Sequence, residues 1–297
     1  MLAQDARPRP APGLDESYAA CKRIALGHYE NFPVVSWLLP ANLRPHVYAV
    51  YAYCRGVDDL GDEALGDRLA LLDEWEAELK RCYDGEPSDR RFVALADTIR
   101  RFSIPPEPFE RLIEANRRDQ RQTRYETFED LLDYCTYSAN PVGRMVLYVF
   151  GYRDEERQRL ADFICTALQL TNFWQDVARD LQIGRVYLPR EDMDSFGVTE
   201  DALRGLPASR EFRRLLRFQV RRTREYFRQG LPLIDRVDGR LRVDLRLFTL
   251  GGLAMLDAIK RQRYDTLTSR PTVSNLQKAW LAVRALAPVR LRAEESS

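Results

Sequence analysis

Between about residue 14 and residue 292, apolar side chains recur at every third or fourth position, and strand-type alternation is hardly present. That period predicts an all-α chain. Proline and glycine punctuate it at FPVVSWLLPANLRP, GEPSD, IPPEP, GRVYLPRED, GLPAS and SRPTVS, which predicts roughly ten helices. No internal repeat, low-complexity run or linker divides the pattern, so residues 14–292 read as one domain. Residues 1–13, with their prolines and charges, read as a disordered N-terminal arm and lack the apolar core of a signal peptide.

Two of the predicted helices constrain the fold most. HVYAVYAYCRGV and DFICTALQLTNFWQDVARDL are apolar around nearly their whole circumference, the mark of central helices in a bundle. Both nevertheless carry acids. Asp58 and Asp62 lie four apart and therefore stand one above the other, whereas Asp59 points about 100° away. Asp176 and Asp180 repeat the device, and the same face continues back through Asn172 to Gln169. One such pair is most often a solvated helix end balanced by neighbours such as Arg55 or Arg179. Two pairs on apolar helices predict four carboxylates facing a bundle core, where they repel unless neutralised. A hard divalent cation is the natural neutraliser, and Mg²⁺, which keeps water and phosphate oxygens, points to a diphosphate substrate between the two acid walls.

Other chemistries fail on residue type. A di-iron bundle needs inward Glu-x-x-His motifs, and neither His28 nor His46 has a glutamate three residues before it. Both histidines read as ordinary helix-end residues. GxSxG and GxxxxGK[ST] are absent. With 46 Lys and Arg against 45 Asp and Glu the net charge is +1, so no field favours nucleic acid. Five scattered cysteines without a CxxC pair predict reduced thiols in a cytoplasmic protein, and no apolar run reaches the length of a membrane span.

YAYCRGVDDLGDE, YCTYSANPVG and QLTNFWQDVARDLQIGRVYLP resemble the squalene/phytoene synthase family, the head-to-head trans-prenyl diphosphate synthases, and the resemblance runs from about Tyr18 to Leu286. It implies an all-α isoprenoid-synthase bundle with a central active-site cavity. It implies that Asp58, Asp62, Asn172, Asp176 and Asp180 bind a Mg²⁺ cluster, that Tyr51, Arg55 and Arg185 contact diphosphate, and that Gln169 and Tyr134 line the cavity. ENFPVVSWLLP, RYETFEDLLDYC and YSANPVGR resemble the hydroxysqualene synthase branch of bacterial squalene and hopanoid pathways. That branch ionises presqualene diphosphate and quenches the cation with water, and a separate enzyme completes the reduction, so no NADPH is expected here. The resemblance further implies coupling to the enzymes before and after it and transient contact with the inner-membrane surface. Gln175 stands where several relatives have arginine, and Gly252 where some have an active-site tyrosine, which sets the pocket apart from a dehydrosqualene-type one. Two alternatives remain: condensation of two prenyl diphosphates, and a catalytically inactive assembly factor of the same fold, against which all four aspartates, Asn172 and Arg55 stand.

Tyr134, Tyr137, Phe173 and Trp174 are candidate cation–π faces for a carbocation. If a helix runs through Pro141, the proline frees the carbonyl of Tyr137, and Asn140 beside it is a candidate seat for the quenching water. Gly184 permits a turn after the second acid pair, leaving Arg185 and Tyr187 either on a closing lid or on a fixed connection.

Overall fold

Local chemistry sets the helix limits. Asp67, Asp89, Asp154 and Ser209 accept backbone N–H groups at the first turns of their helices, and Thr127–Asp130 and Ser274–Gln277 form reciprocal capping boxes. The computed structural model describes residues 13–27 and 39–287. The remainder of the N-terminal arm, His28, nearly all of ENFPVVSWLLP and the C-terminal end of the expected domain lie outside the described residues.

The described helices are α1 (Leu14–Gly27), α2 (Arg44–Asp62), α3 (Arg68–Asp84), α4 (Arg90–Phe102), α5 (Glu107–Asp119), α6 (Phe128–Ser138), α7 (Asn140–Val149), α8 (Glu155–Gln182), α9 (Arg190–Phe196), α10 (Arg210–Gly230), α11 (Pro232–Asp235), α12 (Gly239–Arg261) and α13 (Asn275–Arg284). No strand occurs among the described residues. The all-α single-domain expectation holds. The breaks at GEPSD, GLPAS and SRPTVS fall between helices, and IPPEP and GRVYLPRED begin between helices and run into the first turn of the next.

The 28-residue α8 is the axis, packed against α6, α7, α10 and α12. Its inner half joins one core with Phe212, Leu215 and Phe227 of α10 and Leu256 of α12. A second core fills the space among α2, α3, α4 and α5 around Tyr53, Trp75, Phe92 and Phe109. Where these two cores meet, α2 and α5 face α6 and α8, and the acids lie at that seam. His46, in the first turn of α2, is buried between Tyr18 and Thr98 with both contacts at 2.9 Å, a packing role.

One local expectation is corrected. No helix runs through Pro141: α6 ends at Ser138, Ala139 breaks the path with φ −120° and ψ −49°, and Pro141 sits in the first turn of α7. There a missing N–H removes no helical bond.

Candidate active site

The seam opens as a cleft of about 200 Å³ lined by Asp58 and Asp62 of α2, Leu112, Ala115, Asn116 and Asp119 of α5, Tyr134 and Ser138 of α6, Gln169 of α8, and Arg185 and Tyr187 of the following segment. Of the residues singled out from sequence, the structure brings Asp58, Asp62, Tyr134, Gln169, Arg185 and Tyr187 together on this cleft, and Tyr51, Arg55, Asn172 and Asp176 do not line it. A smaller hollow beside it, lined by Asp180 and Phe173, shares Arg185 and Tyr187 with the cleft. Among the described residues no three His, Cys, Asp or Glu side chains form a ready-made metal cage.

On α2, helical spacing puts Tyr51, Arg55, Asp58 and Asp62 on one face. Asp58 presents surface to the cleft, yet protein surrounds its carboxyl, and burial pushes it up to about 7 against the Asn116 amide, which donates to it at 3.4 Å. Gly61 makes that approach possible: a Cβ there would stand 2.0 Å from Asn116 Oδ1. Arg185 donates to Asp62 at 2.8 Å and lies 3.9 Å from Asp119. Arg55 turns outward to Asp59 at 2.6 Å and Glu63 at 2.8 Å, which assigns Asp59 an ion-pairing role. Tyr51 is half-buried a turn earlier, its phenol raised by burial.

On α8, burial and then the neighbouring Asp176 carboxylate raise Asp180 to about 7, and Asp62 adds to the effect from the opposite wall. The two acid pairs therefore sense each other across the seam. Asp176 itself is gripped by two Arg270 nitrogens, Nε and Nη2, the latter at 2.9 Å, while Gln175 beside it donates to the Pro271 carbonyl. Asn172 is exposed and Gln169 faces the cleft. The oxygen donors and the excess of raised carboxyls suit a hard cation.

The aromatic wall differs in part from expectation. Phe173 and Tyr187 stack at 3.9 Å, with Tyr134 6.0 Å from Tyr187 and Tyr125 continuing the stack at 5.7 Å. Tyr137 instead lies under the Arg118 guanidinium at 3.6 Å, and Trp174 is fully buried with its N–H donated to Thr223. Neither lines the cleft. Asn140 does not reach it either; its buried amide oxygen accepts from Thr166 on α8 at 2.9 Å. The segment after α8 is pinned, since Val186, Arg190 and Glu191 donate backbone bonds to Thr123, Tyr125 and Glu126. That geometry favours the fixed connection over a lid.

Asn116 and Asp119 were missed from sequence. A signal existed: Leu112, Asn116 and Asp119 share one face of α5 at four and three spacing, a polar stripe on an apolar helix face. Arg270 carried none, because it meets Asp176 from 94 positions away.

A closed helical bundle with acid-bearing α2 and α8 facing one another is the isoprenoid-synthase architecture. The comparisons agree. Residues 26–277 match the family model described as squalene/phytoene synthase. A crystal structure of squalene synthase HpnC from Alicyclobacillus acidocaldarius is 52% identical with a TM-score of 0.82, covering 85% of this chain and 96% of that one. A dehydrosqualene synthase crystallised with a ligand is 28% identical with a TM-score of 0.85, covering 92% and 96%. The 15-cis-phytoene synthase of Synechococcus elongatus is 34% identical over 92% of this chain and 94% of its own. The chain belongs to the squalene/phytoene synthase family, whose enzymes are of prenyltransferase type and act on prenyl diphosphates. No described helix is long and apolar enough to cross a membrane.

Proposed function

We propose that this chain converts presqualene diphosphate and water into hydroxysqualene and diphosphate, with Asp58, Asp62, Asn172, Asp176 and Asp180 holding Mg²⁺. The observation that carries this reading is the 52% identity with the HpnC squalene synthase across 85% of the chain, against 34% with the phytoene synthase of Synechococcus elongatus. Bound Mg²⁺ would supply the positive charge that stabilises a departing diphosphate. Arg185, now donating to Asp62, would supply one guanidinium fork for diphosphate, and Arg55 the second once released from Asp59 and Glu63. The Phe173, Tyr187 and Tyr134 rings offer electron-rich faces to the hydrocarbon cation, each worth roughly 0.5 to 2 kcal/mol. Quenching by water is redox-neutral, so the step needs no NADPH.

Leu276, Trp280 and Val283 form an outward apolar stripe on α13, exposed 85%, 59% and 69%, with Lys278 and Arg284 at its margins. This pattern supports peripheral contact with the lipid that carries so oily a substrate.

A second reading, condensation of two prenyl diphosphates, is favoured by the phytoene synthase relatives. Farnesyl diphosphate and presqualene diphosphate, given separately to purified protein with Mg²⁺ and no NADPH, separate the two. Hydroxysqualene from presqualene diphosphate alone is expected; a C30 or larger condensation product with no alcohol would overturn the proposal.

A further inference from the structure

The water quench needs a seat, and Asn140 is committed to Thr166. Two other polar side chains lining the cleft have unmet hydrogen-bonding capacity. Asp119, at the end of α5, has a side chain only 10% exposed; its Oδ2 accepts from the Tyr134 hydroxyl at 2.9 Å, whereas its Oδ1 is buried with no hydrogen-bond partner. Ser138, the last residue of α6, lines the same cleft, and its Oγ is likewise buried and unpartnered. A buried carboxylate oxygen without a donor is costly, and native proteins commonly satisfy such groups with ordered water. Both residues line a cleft of about 200 Å³, large enough for water, and a small side-chain rotation would bring Oδ1 and Oγ, sealed in this structure, onto it. Asp119 shares Arg185 with Asp62, but its own hydrogen bond is to Tyr134.

Resting on the reading of hydroxysqualene formation, we propose that Asp119 and Ser138 seat the quenching water, with Asp119 Oδ1 as the base that takes its proton. The cyclopropylcarbinyl C–O bond to diphosphate breaks first, and its electron pair leaves with diphosphate. After rearrangement the water oxygen donates a pair to the cationic carbon, forming the new C–O bond. One water proton passes to Asp119 Oδ1 and later to solvent, and the neutral alcohol remains. No oxidant or reductant enters. Tyr134, by holding Oδ2, fixes the plane of the carboxylate and so the direction in which Oδ1 faces; it is a positioning residue in this step.

The test reads ionisation and quench separately. Wild type, Asp119→Asn and Ser138→Ala are given presqualene diphosphate and Mg²⁺; released diphosphate and the full product profile are measured. Asp119→Asn is expected to keep diphosphate release within about fivefold, while hydroxysqualene per diphosphate falls by at least about tenfold, at or below the usual contribution of a positioned base. Hydrocarbons formed by proton loss, or isomeric alcohols, should replace it. Ser138→Ala should lower the alcohol share by a smaller factor in the same direction, and it carries the test if Asp119→Asn fails to fold. An unchanged alcohol share in the folded variants overturns the assignment. So does a loss of diphosphate release parallel to that of alcohol, which would place Asp119 in ionisation through Arg185. If wild type itself forms no alcohol, the functional reading falls, and this inference with it; if wild type does and the variants match it, this inference alone falls.

Discussion

Asp244 gives a prediction that can be worked through from the structure. It lies on α12, 1% exposed, with neither carboxylate oxygen hydrogen-bonded among the described residues. Burial raises it from 3.8 to about 7, opposed only by Arg240 one turn away. The folded chain therefore holds this proton more tightly than the unfolded chain does. The stability that the neutral form confers is complete below about pH 4 and is lost as pH rises through about 7. At about 1.36 kcal/mol per pH unit, the interval from pH 5 to pH 7 costs wild type roughly 3 kcal/mol. Asp244→Asn removes the titration while keeping the shape, so the difference in stability between variant and wild type should move in the variant's favour by that amount between pH 5 and pH 8. For a chain of this size that is a swing of roughly 6 to 12 °C in relative Tm. Thermal unfolding of both proteins at the two pH values cancels every other titration common to them. An equal Tm difference at pH 5 and pH 8 would refute the reasoning and mean that the Asp244 carboxylate is solvated or paired. The consequence reaches the site, because α12 backs α8: a Cβ on Gly252 would come within 2.4 Å of Phe227 and 3.0 Å of Leu168.

The remaining predictions concern the cleft and its surroundings. Asp58 and Asp180 are both raised to about 7, so below that pH Mg²⁺ must displace protons. Calorimetric titration in the presence of diphosphate should show Mg²⁺ binding weakened by about tenfold per group, approaching 100-fold, between pH 8 and pH 6, and a flat profile would contradict it. Arg270 occupies the Asp176 oxygens that a metal would use, so Arg270→Gln should tighten Mg²⁺ binding several-fold in the same titration. Gly61→Ala should push Asn116 off Asp58 and lower stability by about 1 to 3 kcal/mol in denaturant unfolding, together with a fall in kcat. Trp280→Asp should abolish sedimentation with anionic liposomes and leave turnover of detergent-dispersed substrate unchanged.

The legible part of this molecule was what one helix can display by itself. The four-residue spacing of Asp58 with Asp62 and of Asp176 with Asp180 fixes which side chains share a face, and the all-round apolarity of α2 and α8 fixes that these faces turn inward. Both are properties of contiguous sequence, which is why Asp58 and Asp62 on the cleft and Asp180 on the hollow beside it were expected together, whereas Asp176 lines neither. Asp119 could have been read the same way, but as a single acid beside Arg117 and Arg118 at a helix end it has the local signature of a surface residue. Only the packing of α5 against α2 shows that its face turns into the cleft. Pro141 misled for a related reason: a proline predicts that a helical path is disturbed there, and Ala139 two residues earlier takes up the break.

What no local pattern could reveal is how the acids are neutralised in this structure. Asp62 is paired with Arg185, Asp176 with Arg270 and Asp59 with Arg55. The first two pairs join elements 123 and 94 positions apart. Arg185 and Arg270 thus hold oxygens proposed for Mg²⁺, and a guanidinium and a metal cannot both take the inner coordination of one carboxylate oxygen. Under the proposed Mg²⁺ set, metal loading would be an exchange of partners, leaving each arginine released from a carboxylate with its charge free for diphosphate. On that proposal, the arginines that now pair with the carboxylates would serve as the forks for diphosphate, coupling its binding to that of the metal without any lid. Mg²⁺ and diphosphate should therefore each tighten the other, and removing Arg185 should weaken that mutual effect even where Mg²⁺ alone binds more tightly.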